Sequence, residues 1–297
     1  MIFSVIIPTY NRLAALKKAL ESLYNQNFHD YEIIVVNDGS KDGTAEFLRN
    51  EESSYKIRIV ELPDLGIAAA RNRGASVAKG EILAFLDDDC SVYPDWLNDL
   101  KKSLEHHKAS LVLGNVSNVL HDSDFSVVHH EMNQFLIERM NIDPFNPMFI
   151  LTSNFVCYPK VFQQYGGFDE RFYFGSEDRE FIRRLITSGE RVVFDKNIVV
   201  KHRHQFTLKS FLFYYYRIGC GSHLLYNVAN VEKSLRLKTN PIKNILSMML
   251  AIGKNESIFR RFRLIILAMI AQFLIFVGFV YARIKKVSDL RMINISE

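Results

Sequence analysis

The sequence predicts an α/β fold: a mainly parallel sheet sandwiched by helices, followed by a helical C-terminal extension. Three observations predict it. Short β-branched runs recur through the first hundred residues without polar alternation, the pattern of strands buried on both faces. Helical periodicities separate those runs, as the crossovers of a parallel sheet require. From Phe206 onward the pattern changes to long helices with no strands.

Phe3 to Ile7 reads as the first strand, ended by Pro8. Leu13 to Tyr24 follows as a helix, with Leu13, Leu16, Ala19, Leu20 and Leu23 at helical spacing. Tyr31 to Val36, Ile57 to Leu62 and Ile82 to Leu86 are three further strands, and alanine-rich Ile67 to Ala78 is the helix between the last two. Beyond Pro94, Trp96 to His106 and Glu177 to Ser188 read as helices. Ser110 to Val116 reads as a strand, and Arg191 to Lys201 as a strand or hairpin.

Composition is that of a folded globular chain, with 48% hydrophobic and 24% charged residues among 297, which excludes long disorder. Cys90, Cys157 and Cys220 lie far apart and form no CxxC pair. They argue against a disulfide framework or a structural zinc site, and for a reducing compartment. The apolar N-terminus has no basic n-region and stops at Pro8, so a buried strand is expected there instead of a secretory signal.

The net charge of +4 is unevenly placed, with eight basic residues against two acidic ones between Lys254 and Arg291. A nucleic-acid binder would carry its basic patch through the folded domain. Here the charge brackets an apolar run, so anionic lipid is the expected partner and nucleic acid is not. Residues 264–282 contain no charge. As a helix they would extend about 28 Å, close to a hydrocarbon core of roughly 30 Å. A membrane helix, spanning or embedded, is expected in preference to a buried core helix. Both flanks are basic, so the distribution of charge sets no orientation.

Ligands of open parallel sheets bind beyond the carboxyl ends of the strands. After the first strand come Pro8, Thr9, Tyr10, Asn11 and Arg12; after the second, Asn37, Asp38, Gly39 and Ser40; after the fourth, Asp87, Asp88 and Asp89. A GxGxxG turn and a P-loop are both absent from the first strand end. Three adjacent carboxylates repel one another unless a cation neutralises them, and oxygen ligands select Mg2+ or Mn2+. A solvated acidic turn is the alternative, disfavoured by the buried strand that precedes it.

Asp38 serves either as a hydrogen-bond acceptor for a ligand or as a turn residue. Arg71 either reaches a phosphate or is solvated. Glu177 and Asp178 follow Ser176, a plausible N-cap, and either favour a helix start or supply a general base. His202 is a metal ligand or part of a turn. Cys90 reads as a packing residue, since nothing nearby would lower its pKa.

Together these residues resemble the family 2 glycosyltransferases, which adopt the GT-A fold. The resemblance rests on Ser4 to Arg12, Glu32 to Ser40, Asp42-Gly43-Thr44, Gly66, Ala70 to Gly74, Ala78 to Glu81, Phe85 to Asp89, Gly166 to Glu170 and Glu177-Asp178, over about the first 205 residues. It implies a nucleotide-sugar site at Pro8, Thr9, Tyr10, Asn11, Arg12, Asp38, Arg71, Asp87 and Asp88, with Thr9 and Tyr10 lining the base pocket and Asp38 binding the base. Asp87 and Asp89 match the DxD motif, with Asp89 and His202 as ligands of Mn2+ or Mg2+. Asp178 matches the catalytic base of inverting members, with Glu177 on the acceptor side.

The implied organisation is a catalytic domain over 1–205, its nucleotide-sugar-binding half 1–115 and its acceptor-binding half 116–205, followed by a helical extension over 206–297. The implied activity is transfer of one sugar in preference to polymer synthesis, because no Gln-x-x-Arg-Trp follows Asp178. A UDP-sugar donor, a glycan or lipid-linked acceptor and the cytoplasmic face of a membrane are expected. Two rivals are a sugar nucleotidyltransferase, which should carry a glycine-rich first turn, and a non-catalytic membrane-bound sugar-binding protein.

Overall fold

The apolar runs become strands. In the computed structural model, Phe3–Thr9 (β1), Tyr31–Asn37 (β2), Ile57–Glu61 (β3) and Ile82–Leu86 (β4) lie parallel, with β1 between β2 and β4. The structure describes residues 1–52, 57–141, 143–145, 147, 149, 151, 153–228 and 241–293. The strands expected at Ser110 and Arg191 form as Leu111–Asn118 (β6) and Val192–His202 (β8), and two more appear at Cys90–Ser91 (β5) and Asn154–Cys157 (β7). One sheet results, in the order β3-β2-β1-β4-β7-β6-β8-β5.

The sheet is parallel in its first half and mixed in its second. β7 runs antiparallel to both β4 and β6, β8 is parallel to β6, and β5 is antiparallel to β8. The pairing of β6 with β8 slips between Gly114 and Asn115. Asn154 on β7 repairs the slip: its Nδ2 donates to the carbonyls of Asn115 and Ile198, and its Oδ1 accepts from Trp96 Nε1, each at 2.9 Å. Three buried polar groups are thereby satisfied by one amide.

Helices cover both faces. Leu13–Tyr24 (α1), Thr44–Glu52 (α2) and Trp96–His106 (α4) pack Leu16, Leu20, Leu48, Trp96 and Leu100 onto one face. Ile67–Val77 (α3), Pro159–Gln164 (α6) and Glu177–Thr187 (α7) pack Ala70, Phe162, Phe181 and Leu185 onto the other. Asp124–Met140 (α5) leaves this frame and joins a separate apolar cluster with the C-terminal helices Leu208–Val228 (α8), Pro241–Ala251 (α9) and Ile258–Ile284 (α10).

α8 and α10 touch backbone to backbone. A Cβ on Gly219 would lie 2.1 Å from the carbonyl oxygen of Ile275, and one on Gly278 would lie 2.1 Å from that of Tyr216. Only glycine at each crossing point permits this distance. Gly278→Ala is therefore expected to lower stability by about 1–3 kcal/mol, measured as a fall in the denaturant midpoint. An unchanged midpoint would mean the helices have room to separate.

Candidate functional site

The ends of β1, β2 and β4 open onto two adjoining cavities. One, of about 820 Å³, is lined by Thr9, Tyr10, Asn11, Asp38, Gly66 and Tyr173. The other, of about 540 Å³, is lined by Asp87, Asp89, Glu177, Asp178, His202 and Tyr214. Pro8, Arg12, Asp88 and Arg217 border both. Every expected site residue thus faces one or both of them.

Hydrogen bonds between strand ends build the larger cavity. Asn11, at a left-handed φ of +52°, accepts from the Lys41 N–H through Oδ1 at 2.7 Å, while its own N–H donates to Ser40 Oγ. Asp38 is buried, and its two oxygens accept from the N–H groups of Leu65 and Gly66 at 2.7 Å. Burial pushes its pKa up against those bonds. Gly66 sits at φ +90° with Tyr173 against it, so that any Cβ would lie 2.4 Å from the ring. The chain from Asp64 to Gly66 is consequently a fixed wall.

The three consecutive aspartates differ sharply. Asp88 has both oxygens bonded within the protein, Oδ2 to the Thr9 hydroxyl at 2.7 Å and Oδ1 to Arg12 at 3.2 Å. These bonds anchor the first strand end, and Asp88, expected to bind nucleotide-sugar, also borders both cavities. Arg12 likewise grips the aspartates, reaching Asp89 Oδ2 at 3.0 Å, because a cation beside three carboxylates lowers their mutual repulsion. Burial works against ionisation of Asp89, but His202 and Arg12 hold its carboxyl well below the usual range.

Arg71 is fully buried and bridges Asp87 to Glu177. With its guanidinium between two carboxylates it ties α3 and the β4 end to α7, and it also lines the smaller cavity, the position from which the expected phosphate contact would be made. Glu177, expected on the acceptor side, is the other end of that tie. Ser176 is not the helix cap the sequence suggested: it lies at φ +77° and its buried Oγ has no partner. The left-handed turn swings the first turn of α7 inward, where Asp178 lines the smaller cavity and accepts from the Arg179 N–H at 2.7 Å.

Imidazoles close the cluster. β5 and β8 pair Cys90 with His202, which brings His202 Nε2 to 3.1 Å from Asp89 Oδ1. His204 Nδ1 lies 3.7 Å from Asp89 Oδ2. His129 of α5 joins them, with its ring 4.8 Å from that of His204, and the three histidines offer ligand atoms within 4.8 Å of one another.

A family profile described as Glycosyl transferase family 2 matches residues 4–166, more than half of the chain. The chain belongs to this family. Glycosyltransferase AglE of Haloferax volcanii is 39% identical over 117 residues, covering 38% of each protein. Chondroitin synthase of Escherichia coli is 30% identical over 225 residues, which is 63% of this chain and 32% of that one. The chain thus spans about a third of the length of these curated relatives.

Among solved structures, the mannosyltransferase PcManGT of Pyrobaculum calidifontis, in complex with GDP-Man and Mn2+, matches with a TM-score of 0.65 at 16% identity, over 96% of this chain and 87% of that one. S. aureus TarS 1–349 in complex with UDP matches with 0.58 at 17%, over 96% and 92%. At such identity the likeness establishes the fold, which is GT-A.

For this family 2 protein, sequence reasoning missed His129 and left His204 unassigned. His129 belongs to no motif, and only the packing of α5 on α8 brings it to the site. Its ring nitrogens contact Tyr215 Oη and Asn133 Nδ2, and burial depresses its pKa to about 3. It is therefore neutral when folded and takes up a proton on unfolding below about pH 6.5. Stability from this group is full above that pH and is lost as pH falls toward 3. His129→Phe should remove that dependence: relative to the variant, the native protein loses up to about 1.4 kcal/mol per pH unit between pH 6.5 and 4. Denaturant unfolding in chelator measures it, and parallel pH profiles would refute the assignment.

Proposed function

We propose that the protein is an inverting glycosyltransferase that moves one sugar from a nucleotide-diphosphate sugar, a UDP-sugar, to an acceptor hydroxyl in cell-surface polysaccharide or glycolipid synthesis. The observation that carries this reading is the placement of Asp178 and the Asp87–Asp89 strand end on one cavity, beside a second cavity built by the loops after β1 and β2. The larger cavity receives the nucleotide, with Thr9 and Tyr10 along the base and Asp38 fixed at its wall. Residues 1–205 form the catalytic domain, and residues 206–297 hold it at the cytoplasmic face of a membrane.

The acceptor occupies the smaller cavity. Asp178 takes the proton from its hydroxyl, and that oxygen attacks the anomeric carbon opposite the leaving diphosphate. The C–O bond to the diphosphate breaks and the anomeric configuration inverts. Arg71 and Glu177 keep Asp178 in position by fixing the start of α7 against β4. Arg12 and Arg217 bring positive charge to the border between the cavities.

The residues fit a divalent ion. Asp87, Asp88, Asp89, Glu177 and Asp178 share the cavity with Arg12, Arg71, Arg179 and Arg217, and Asp89 with His202 presents an oxygen and a nitrogen 3.1 Å apart, a donor pair that suits Mn2+ better than Mg2+. When bound, such an ion would offset the negative charge of the diphosphate. The Mn2+ and GDP-Man of PcManGT and the UDP of TarS support a nucleotide-sugar and a metal here.

Calorimetric titration of UDP, GDP and dTDP, each with and without Mn2+, tests the reading. One nucleotide should bind only with metal, and Asp89→Ala should abolish that binding. Asp178→Asn should bind the same nucleotide as well as the native protein yet lose about 10²–10⁴-fold in turnover. Binding of none of the three under any condition would favour the non-catalytic alternative, and unchanged turnover in Asp178→Asn would sink the base assignment.

A further inference from the structure

α10 has two apolar faces that meet different surroundings. Leu264, Ala268, Ala271, Gly278 and Ala282 are buried, packed against α8 and α5. Phe259, Phe262, Met269, Phe273, Phe276 and Ile284 are between 50% and 83% exposed. At about 100° of rotation per residue these six fall within an arc of about 100°, opposite the buried face. A continuous stripe of four phenylalanines is not a surface that water-soluble monomers present.

By the same rotation, Arg263 and Arg283 stand at the two margins of the stripe, and the exposed Lys285 and Lys286 follow its end. In a two-fold pair of copies these cations would meet their own equivalents. Against anionic headgroups they are complementary.

We propose that α10 is a monotopic anchor that lies in the plane of the membrane, with this stripe in the boundary between acyl chains and anionic headgroups. A spanning orientation conflicts with its packing. The contacts of Gly219 and Gly278 bind α10 to α8, so spanning would draw Lys209, Arg217 and His223 of α8 into hydrocarbon, at high cost. Lying flat leaves α8 above the lipid.

This geometry bears on the acceptor, and that part rests on the transferase reading. The other side of α8 contributes Phe213, Tyr214 and Arg217 to the 540 Å³ cavity. Only α8 therefore stands between the acceptor cavity and α10, the helix seated at the lipid surface, which suits an acceptor whose hydroxyl is carried on a lipid.

Flotation of the full chain with phosphatidylcholine vesicles, and with vesicles that also contain phosphatidylglycerol, tests the anchor. The protein should float with the anionic vesicles. In the double variant Phe262→Glu/Phe273→Glu the bound fraction should fall about tenfold or more, with nucleotide binding unchanged. Depth is read separately from Phe262→Trp and Phe273→Trp with brominated lipids, over the constant background of the buried Trp96. Lying flat predicts equal quenching of both by bromines near the headgroups.

Stronger quenching of Phe273→Trp by deep bromines would overturn the proposal in favour of spanning. Undiminished flotation of the double variant would also overturn it. So would absence of vesicle binding together with a dimer that the double variant dissociates, which would make a second copy the occupant. If the vesicle results hold while no nucleotide binds, the transferase reading fails and the anchor stands.

Discussion

Arg71 is the residue on which the site depends. Its guanidinium is buried, and its two carboxylate partners come from distant parts of the chain, Asp87 at the end of β4 and Glu177 at the start of α7. A buried charge is stable only when paired and hydrogen-bonded, so the three residues must be placed together or not at all. That requirement couples the sheet half whose strand ends line the larger cavity to the helix that carries Asp178. Removing one partner would leave an uncompensated charge in the interior, which explains why this junction is rigid.

A second consequence concerns charge. The carboxylates of the strand end are each met by a cation or an imidazole of the protein itself. Thr9 and Arg12 take up Asp88, and Arg71 takes up Asp87, while Asp89 faces imidazoles. The three aspartates all line the smaller cavity but hold different partners: Asp88 anchors the first strand end, Asp87 joins the junction, and Asp89 meets Arg12 and the imidazoles. Backbone direction explains the division, because successive side chains at a strand end point different ways.

α8 links the site to the C-terminal helices. One side of it lines the smaller cavity, and another is pressed against α10 through Gly219 and Gly278. The extension is accordingly part of the site's wall, and α5, which carries His129, is held by the same apolar cluster. Anything that moves α10 would be felt at Tyr214 and His204 through packed side chains.

The sequence by itself determined the parallel half of the fold. Apolar runs such as Val5–Ile7 and Ile33–Val36 can be buried only as central parallel strands, and local periodicity sets α1, α4 and α7 to within a residue or two of the observed bounds. The polar strand ends that bear Thr9, Asp38 and the aspartates follow directly from that pattern.

Tertiary structure alone decided the rest. β5 and β7 are too short to leave a periodic signal, and α5 carries a weak one because its apolar residues face another helix layer. Whether Arg71 meets a phosphate or two carboxylates, whether Ser176 caps a helix, and whether His129 approaches Asp89 are matters of contact between residues up to about a hundred positions apart. Local spacing carries no information about such contacts, because the energy that fixes them, burial of charge with its partner, exists only once the chain has folded.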